Sequence, residues 1–432
     1  MVAKRPHSRL YGEQLDLASP RQWQELVPKD ILQAAAAEHG GDQADGKLTA
    51  PVHFWLLLVG VLSRGCSSLK DLISRTQDRF GKPLGWLDGD GPWVSPSALS
   101  QRNKDRPAAF WQALYQRLRQ HHFGAGWLRK AWQKKFAQLQ ALDSSTFRLM
   151  ARLRHVFKPS GSGGARKGSK NKKGALKIHQ VYCVGDELPA DLAIGPAREH
   201  DKKGFKKALE QLGQGVLYLL DRGYCSFDLW WDIECAWAYF ITPLKAGLVY
   251  EHLRWLNPKR QRHRVRDELV RFPGMDRADD FVILRLVHIL QEDGTWWSYV
   301  TNLIDEGLTP RDIAEIYSLR WRIEIFFRHL KHSLSMGHWF AQSEAGVQAQ
   351  LYVALIGYLL SQLVLLWASR EAHLAPEQYR FTTVVHELAQ WLISGLHTNC
   401  LLPLEELLDR VRRNALDKDR RRNSTVFTTL RG

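Results

Sequence analysis

The sequence predicts a mixed α/β protein in which a helical N-terminal domain precedes a core built on a sheet. Up to residue 134 the apolar residues follow a helical period, and Val52–Ser63 is apolar enough for a buried helix. From Asp143 the pattern changes to a strand, a hairpin over Lys177–Ile194, a helix over Gly204–Leu212 and a second strand at Val216–Leu220. This order is that of a ribonuclease-H-like core.

Within the N-terminal domain, residues 1–134, one segment has side chains suited to DNA. Ser95–Arg106 opens with a serine-rich helix start and continues with Gln101, Arg102, Asn103 and Lys104. These residue types bind base edges and phosphates. The segment fits a helix-turn-helix-like module for recognising DNA ends, and it fits a pair of short helices in a simple bundle equally well.

Two aspartates stand at the predicted core strands. Asp221 directly follows the apolar run Val216–Leu220, which places it at the mouth of the sheet, where α/β proteins bind ligands. Asp143 lies in the first strand pattern and precedes Ser144-Ser-Thr. Each has a structural alternative, because Asp221 also fits a helix N-cap and Asp143 also fits a turn.

The chain between Asp221 and Glu324 is longer than one crossover needs, and most of it has strand patterns. Ala238–Thr242 is predicted as another core strand. Beyond it, turns at Pro273-Gly274 and Asp293-Gly294 separate strand-like runs at Val265–Leu269, Phe281–Leu290 and Trp297–Asn302. We therefore predict a β-rich insertion over about residues 248–302.

The segment Tyr317–Lys331 is predicted to form one amphipathic helix. At about 100° per residue, one arc of roughly 80° holds Tyr317, Arg320, Glu324, Arg328 and Lys331. The apolar residues occupy a separate, core-facing arc. A carboxylate among cations on such a helix suits an acid that binds a metal beside a phosphate chain. The alternative is a surface helix in which Arg320 and Glu324 form an ordinary ion pair.

The spacing Tyr-x2-Arg-x3-Glu-x6-Lys, read at Tyr317, Arg320, Glu324 and Lys331, resembles the signature of the DDE transposases of bacterial insertion sequences, in the IS-four family that includes the Tn-five type. Asp-Ser-Ser-Thr at 143 and Asp-Arg-Gly-Tyr at 221 resemble the family's two aspartate motifs. The resemblance covers most of the chain. We place the catalytic domain at residues 135–395 and a basic C-terminal segment at residues 396–432.

The resemblance implies a transposase that cleaves DNA at the ends of a mobile element and transfers the strands into target DNA. The implied catalytic residues are Asp143, Asp221 and Glu324, which would also hold two Mg²⁺ ions, with Mn²⁺ as a substitute, because hard cations take oxygen ligands. Tyr317, Arg320 and Lys331 are implied to grip phosphates near the cleaved end.

An adjacent pair of tryptophans lies near the end of the insertion. Neighbouring strand residues face opposite sides of a sheet, so one of Trp296 and Trp297 can pack while the other stacks on a base. By family resemblance we choose Trp297 to hold a base flipped from the duplex. The alternative is two core or interface residues in a chain with 17 tryptophans.

The composition favours a DNA-binding protein. A net charge of +16 and a pI of about 9.6 favour phosphate backbones and predict salt-sensitive binding. Basic runs occur at Lys259–Arg266, at Arg410–Arg422 and in a flexible loop after Ser160-Gly-Ser-Gly-Gly. From that loop we predict DNA contacts by Arg166, Lys167, Lys170, Lys172 and Lys173. Basic runs are also common on solvated surfaces.

The predicted partners are double-stranded DNA, as terminal inverted repeats and as target, and a second copy of the chain, since joining two DNA ends calls for two protomers. The five cysteines show no zinc spacing and fit reduced thiols, and no signal peptide is apparent, so we expect a cytoplasmic protein. The one long apolar stretch, Leu351–Trp367, is predicted to be a buried core helix and not a membrane span.

Two other functions share some of these features. A non-catalytic DNA-binding regulator, or an inactivated transposase relic, would have the same basic charge and helical module. A pure binder has no need of Asp143, Asp221 and Glu324 together. Another ribonuclease-H-like nuclease, such as a junction resolvase, would share the carboxylates but has no reason to carry the Tyr317–Lys331 spacing.

Overall fold

A computed structural model describes the protein in residues 26–40, 48–63, 65–80, 94–123, 135–149, 153, 156–157, 174–197, 212–276, 281–304, 307–398 and 403–416. Within these ranges the chain has mixed α/β structure, with one large sheet and helices on both of its faces. The predicted helix over Gly204–Leu212 falls, except for its last residue, outside the described residues.

The first described third of the chain is helical. Its helices are α1 (Lys29–His39), α2 (Ala50–Leu62), α3 (Leu69–Phe80), α4 (Pro96–Asp105) and α5 (Ala108–Phe123). The apolar run of α2 is buried along almost its whole length, as the sequence predicts. In α4 the Ser95 hydroxyl accepts a hydrogen bond from the Ala98 N–H and so begins the helix.

The side chain of Asn103, on α4, points into the protein. It is 3% exposed, and its Oδ1 lies 2.6 Å from Nε2 of His53. Arg106 Nε donates to the other nitrogen of the same ring at 3.2 Å. The suggestion that Asn103 contacts DNA is therefore wrong, because the helical period turns this residue toward α2.

Nine strands form one sheet. They are β1 (Gln138–Arg148), β2 (Ala175–Cys183), β3 (Leu188–Pro196), β4 (Val216–Leu220), β5 (Tyr239–Pro243), β6 (Glu251–Trp255), β7 (Val265–Arg271), β8 (Ile283–Leu290) and β9 (Trp296–Thr301). Their order is β3-β2-β1-β4-β5-β9-β8-β7-β6. β1, β4 and β5 run parallel, and the other neighbours are antiparallel.

The predicted insertion thus extends the core sheet and does not form a separate layer. β9 pairs with β5, so β6 to β9 continue from the edge of the β3-β2-β1-β4-β5 half. We call the first half the core half and β6 to β9 the insertion half. The pattern missed β6, because its residues are mostly exposed and have no alternation of apolar side chains.

The later helices are α6 (Phe227–Cys235), α7 (Pro310–Ser318), α8 (Trp321–His332), α9 (Glu344–Glu371), α10 (Phe381–Thr398) and α11 (Leu404–Asn414). One face of the sheet packs in a large apolar cluster with α8, α9, α10 and the N-terminal helices. The other face packs on α6, where Trp230 stacks on Phe240 with ring centroids 5.3 Å apart.

Helix α9 is the centre of the large cluster. Among the described helices of eighteen or more residues, it alone is apolar enough to cross a membrane by length and composition. However, 94% of its most apolar window is buried inside the protein. Because α2, α5 and α10 all pack on it, α9 has the environment of a core helix, as the sequence predicts.

The prediction of a single helix over Tyr317–Lys331 is wrong. The chain forms α7 and α8, and between them the N–H groups of Leu319 and Arg320 bond three residues back, to Ile316 and Tyr317. The reason is the packing of the two helices, since α7 lies on β5 and β8 whereas α8 lies on β1. A tight turn of the 3₁₀ type changes the direction of the chain between these two parts of the sheet.

Candidate active site

The two predicted aspartates lie on neighbouring parallel strands. β1 and β4 pair with Leu142 opposite Leu220, so Asp143 and Asp221 occupy the next position on each strand. Neighbouring strands are about 4.8 Å apart, which brings the two backbones close together. Asp143 Oδ1 accepts a hydrogen bond of 2.7 Å from the Ser144 N–H. The sheet register, set by the buried run of β4, thus brings the two acids together.

Glu324 reaches the same end of the sheet from α8. Strand alternation puts Asp143 on the face of β1 that carries Leu139, Ala141 and Phe147, and this is the face on which α8 packs. Glu324 lies in the first turn of α8, where its Oε1 accepts a hydrogen bond of 2.5 Å from Arg320 Nη2. The Arg320–Glu324 ion pair, which the structural alternative for this segment expects, is present, even though the helix is interrupted before it.

The electrostatics of Asp143 show that the three acids interact. Burial is the main reason that the pKa of Asp143 is raised to about 6, and the charges of Asp221 and Glu324 act in the same direction. The Ser144 N–H and the guanidinium of Arg320 act in the opposite direction. Asp143 therefore lies within electrostatic range of both other acids and of Arg320. Such a shift is typical of functional sites.

Tyr317 and Lys331 lie within electrostatic range of the acids, Tyr317 of Asp221 and Lys331 of Asp143. The Tyr317 ring contacts Tyr299 of β9 with centroids 5.0 Å apart, and burial raises the pKa of Tyr317 to about 12 while Arg320 opposes the shift. Lys331 Nζ lies 5.1 Å from the centre of the Phe147 ring. Burial lowers the pKa of Lys331, and Asp143 opposes that change.

The tryptophan pair of β9 divides between the two faces of the sheet. Trp297 shares its face with Tyr299, whose ring touches Tyr317, and its side chain is 54% exposed. Trp296 points to the opposite face, where the Arg266 guanidinium lies 4.6 Å from its ring centre. Of the two residues, Trp297 is therefore the one on the face that carries α7 and the acids.

Arg322 has a different place from the other cations of this segment. Its Nη1 donates to Glu187 in the β2–β3 turn at 2.6 Å, and its Nη2 lies 3.5 Å from Glu377. Glu187 has a left-handed backbone, with φ of 54°, and burial raises the pKa of its carboxyl. Arg322 thus ties the start of α8 to the hairpin. Its acid partners are too distant in sequence for any pattern to have indicated them, and the same is true of the Tyr299–Tyr317 contact.

The donor atoms of the three acids suit a divalent metal. Carboxylate oxygens are the ligands that Mg²⁺ and Mn²⁺ prefer, and a bound cation would favour the ionised form of Asp143, whose pKa is raised mainly by burial. In the part of the chain that the structure describes, no three His, Cys, Asp or Glu side chains are grouped closely enough to enclose one ion. The three acids therefore suit a divalent metal by the chemistry of their donor atoms and by their common position at one end of the sheet.

The predicted DNA contacts of the basic loop, Arg166, Lys167, Lys170, Lys172 and Lys173, lie outside the described residues, as do the cations after Leu416. The described cysteines Cys66, Cys183, Cys225 and Cys235 are free thiols.

Comparison with known proteins identifies the family. A family described as "Transposase DDE domain" matches residues 134–360, more than half of the 432 residues. A putative transposase of Sinorhizobium fredii, y4zB, is 27% identical over 322 residues, which are 71% of this chain and 83% of that protein. The transposase for insertion sequence element IS231C of Bacillus thuringiensis is 22% identical over 400 residues, 79% of this chain and 81% of that protein.

A putative transposase for insertion sequence element IS4SA of Synechocystis is 26% identical over 196 residues, 44% of this chain and 54% of that protein. These matches confirm the resemblance found at the aspartate motifs and at Tyr317–Lys331. The chain belongs to the DDE transposases of the IS4 family, enzymes that cleave DNA and transfer strands for bacterial insertion sequences.

Proposed function

We propose that Asp143, Asp221 and Glu324 are the catalytic acids with which this transposase cleaves the ends of its mobile element and joins them to target DNA. The observation that carries the proposal is the pKa of Asp143. It is raised to about 6 at a place where Asp221 and Glu324 both act on it. A raised pKa on an acid that lies beside two further acids is typical of functional sites, so the arrangement favours a catalytic role.

The same three residues would hold the metal. DDE transposases generally depend on divalent metal ions, and we propose two Mg²⁺ ions here, with Mn²⁺ as a substitute. When bound, such ions polarise the scissile phosphate, activate the attacking water or 3′-hydroxyl and stabilise the leaving oxygen. Asp143 and Asp221 supply oxygens from the rigid sheet, and Glu324 supplies them from the first turn of α8.

Arg320 would bind the phosphates beside the cut. Its side chain is 13% exposed and pairs with Glu324 through Nη2. Its buried Nε–H has no acceptor among the described residues. A phosphate oxygen would satisfy that donor. Lys331 and Tyr317 would contact neighbouring phosphates, because the Lys331 ammonium and the Tyr317 hydroxyl both stand near the acids.

Trp297 would stack on a base flipped from the duplex near the cut. Unstacking a base costs a few kcal/mol, and an aromatic side chain recovers part of that energy. The exposure of Trp297 and its position on the face of Tyr299 and Tyr317 support this role. Trp296 lies on the opposite face and is covered by Arg266, so it is the weaker candidate.

The larger architecture fits the same function. We propose that the core half is a ribonuclease-H-like core, which its strand order supports. The helices before residue 135 and the basic loop at residues 166–173 would bind the terminal inverted repeats. Two protomers would act on paired ends, since both ends of the element must be joined. A cytoplasmic location, where the element's DNA lies, agrees with a core helix α9 and free thiols.

The test replaces each acid with its amide. Asp143→Asn, Asp221→Asn and Glu324→Gln should each lower the rate of Mg²⁺-dependent cleavage by about a thousandfold or more, since metal-ion stabilisation of the transition state contributes several kcal/mol. DNA binding, measured without metal, should be unchanged or tighter, because each variant removes a negative charge beside the phosphates. Folding is checked by circular dichroism.

A useful control is Glu234→Gln, which removes an exposed carboxylate at the end of α6. It should cleave normally. Nicking at a near wild-type rate by any one of the three amide variants would remove that residue from the site. Normal cleavage by all three would mean that the catalytic proposal is wrong.

A further inference from the structure

The insertion half carries a run of cations that have no acid partner. The exposed cations of the run are Lys259, Arg260, Arg264 and Arg266, and Arg262 is half-buried. No ion pair among the described residues includes any of these five side chains. The nearby β8–β9 turn has two exposed acids, and one of them, Asp293, already accepts hydrogen bonds from Thr295. The end of the insertion half is therefore strongly positive.

The described part of the C-terminal basic run has the opposite arrangement. Arg410 Nη2 lies 2.7 Å from Glu406, and Arg412 pairs with Asp409 and, at 3.0 Å, with Glu371. These cations are neutralised within the protein. Arg410 and Arg412 thus differ from the cations of the insertion half, for which no ion pair with a described residue is present.

Two tryptophans lie beneath the arginines of the insertion half. The Arg262 guanidinium is 4.3 Å from the ring centre of Trp255, and the carbonyl of Asn257 accepts hydrogen bonds from its Nε and Nη2 at 3.2 and 3.1 Å. Arg266 lies 4.6 Å from the ring centre of Trp296. Stacking holds each guanidinium plane in one orientation and lowers the entropy lost when it binds a phosphate.

The remaining hydrogen-bond donors support a ligand with many acceptors. Arg266 Nε donates to the carbonyl of Arg262 at 3.4 Å. Among the described residues, neither Nη group of Arg266 has an acceptor. Arginine held flat on an aromatic ring with its terminal N–H groups free is suited to phosphate oxygens.

The position of this run relates it to the catalytic acids. β9 is antiparallel to β5. The β8–β9 turn and the loop between β6 and β7 therefore lie at the same ends of the strands as Asp221, which follows the C-terminal end of β4. Four strand spacings separate β4 from β7, which is about 19 Å. Each DNA strand has one phosphate per about 3.4 Å of the helix axis, so this distance measured along the axis corresponds to about six base pairs.

We propose that Trp255, Arg260, Arg262, Arg264, Arg266 and Trp296 form a second phosphate-binding surface, which we call the Arg–Trp surface. Trp296 and Arg266 lie on the face of the sheet opposite the acids, at the same ends of the strands, so the surface would hold the backbone of the cleaved duplex where that duplex passes the strand ends, about six base pairs from the cut bond. The distance from this surface to the cleaved bond rests on the proposed function of the acids. The binding of DNA phosphates by the Arg–Trp surface does not depend on catalysis. The surface reads no sequence, because its contacts are to phosphates.

The first experiment measures the affinity of the full chain for a duplex of arbitrary sequence at several salt concentrations, with a chelator present so that no cleavage occurs. Changing Arg262, Arg264 and Arg266 together to Gln should lower the slope of log affinity against log salt by about two to three, since each lost phosphate contact contributes about 0.9. The matched control, Arg410→Gln with Arg412→Gln, should leave the slope unchanged.

A second variant tests the stacking without changing the charge. Trp255→Leu should weaken binding by about two- to fivefold, the equivalent of a cation–π contact of about 0.5–1 kcal/mol. Trp237→Leu is its control. Trp237 is 77% exposed but directly precedes β5, so it lies at the opposite ends of the strands from the Arg–Trp surface. Equal effects from Trp255→Leu and Trp237→Leu would contradict a role for the stack.

The position is tested with duplexes that end at the element's own terminus and carry a neutral methylphosphonate at one site. A substitution about six base pairs from the cleaved bond should weaken binding by the wild-type protein and not by the triple Gln variant. A salt slope that the triple variant does not change would overturn the proposal. Failure of the acid variants to stop cleavage would affect only the assignment of the acids, because these binding measurements contain no metal.

Discussion

Both halves of the sheet contain charged side chains that are at least partly buried, but the surroundings of these charges differ. In the insertion half, Arg285 and Asp267 are 5% and 6% exposed and form a two-pronged ion pair of 2.8 and 2.9 Å. Arg285 Nη1 also donates to the carbonyl of Leu303 at 3.3 Å. In the core half, Asp143 is half-buried within electrostatic range of two other carboxylates, and its pKa is raised, mainly by burial.

This difference separates a structural use of buried charge from a functional one. A buried pair with its hydrogen bonds satisfied fixes two strands in one geometry, and removing one partner leaves the other charge unbalanced. A carboxyl group whose pKa is raised destabilises the fold when it is ionised, and such shifts are typical of functional sites. Substitutions in the two halves should therefore change stability in opposite directions.

The largest effect on stability is expected in the insertion half. Asp267→Ala leaves the Arg285 guanidinium buried without a carboxylate and should lower the free energy of unfolding by about 3–5 kcal/mol. Chemical denaturation measures this loss. The matched control replaces both partners, Asp267→Leu with Arg285→Met, and should lose much less, because no unpaired charge remains. A loss below about 1 kcal/mol for Asp267→Ala would contradict the stabilising role of this ion pair, and with it the proposed difference between the two halves.

The opposite sign is expected for Asp143→Asn in the metal-free protein. The folded pKa of about 6 exceeds the ordinary value of 3.8, so ionised Asp143 destabilises the fold above pH 6 and this penalty fades as the pH falls through 6 toward 3.8. At pH 8 the variant should gain about 1–3 kcal/mol, given about 1.4 kcal/mol per pKa unit. Denaturation at pH 8 and pH 5 measures it. A loss of stability at pH 8 would assign Asp143 a structural role.

The smallest stability effect is expected for the cations beside the acids. Arg320→Ala and Lys331→Ala should change the free energy of unfolding by less than about 1 kcal/mol, because the Arg320–Glu324 pair is only partly buried. Both should slow strand transfer more than the first nick, since the later step depends on a firmly held DNA end. Assays of nicking and joining on the same substrate separate the two. Unfolding at a much lower temperature, with normal joining by the folded fraction, would indicate an ordinary structural pair.

Local patterns were sufficient for much of the fold. The run Val216–Leu220 is β4 at the predicted boundaries, and the hairpin after Asp143 is β2 and β3. Strong apolar runs and turn residues are local signals, and they predict the same element whatever packs against it. The pattern failed at β6, which is exposed, and at Tyr317–Lys331, where a helical period continues across a tight turn.

By itself, the sequence determined the family, and it supplied the candidate catalytic residues, because Asp143, Asp221 and the Tyr317–Lys331 spacing are fixed by residue type and order. Only the tertiary structure decided which charges are balanced. The cations at Lys259–Arg266 form no ion pair with any described residue, whereas Arg410 and Arg412 are paired. Arg322 is bound to Glu187 across the fold. Charge balance depends on distances between residues that are far apart in the chain, and strand register and helix packing set those distances.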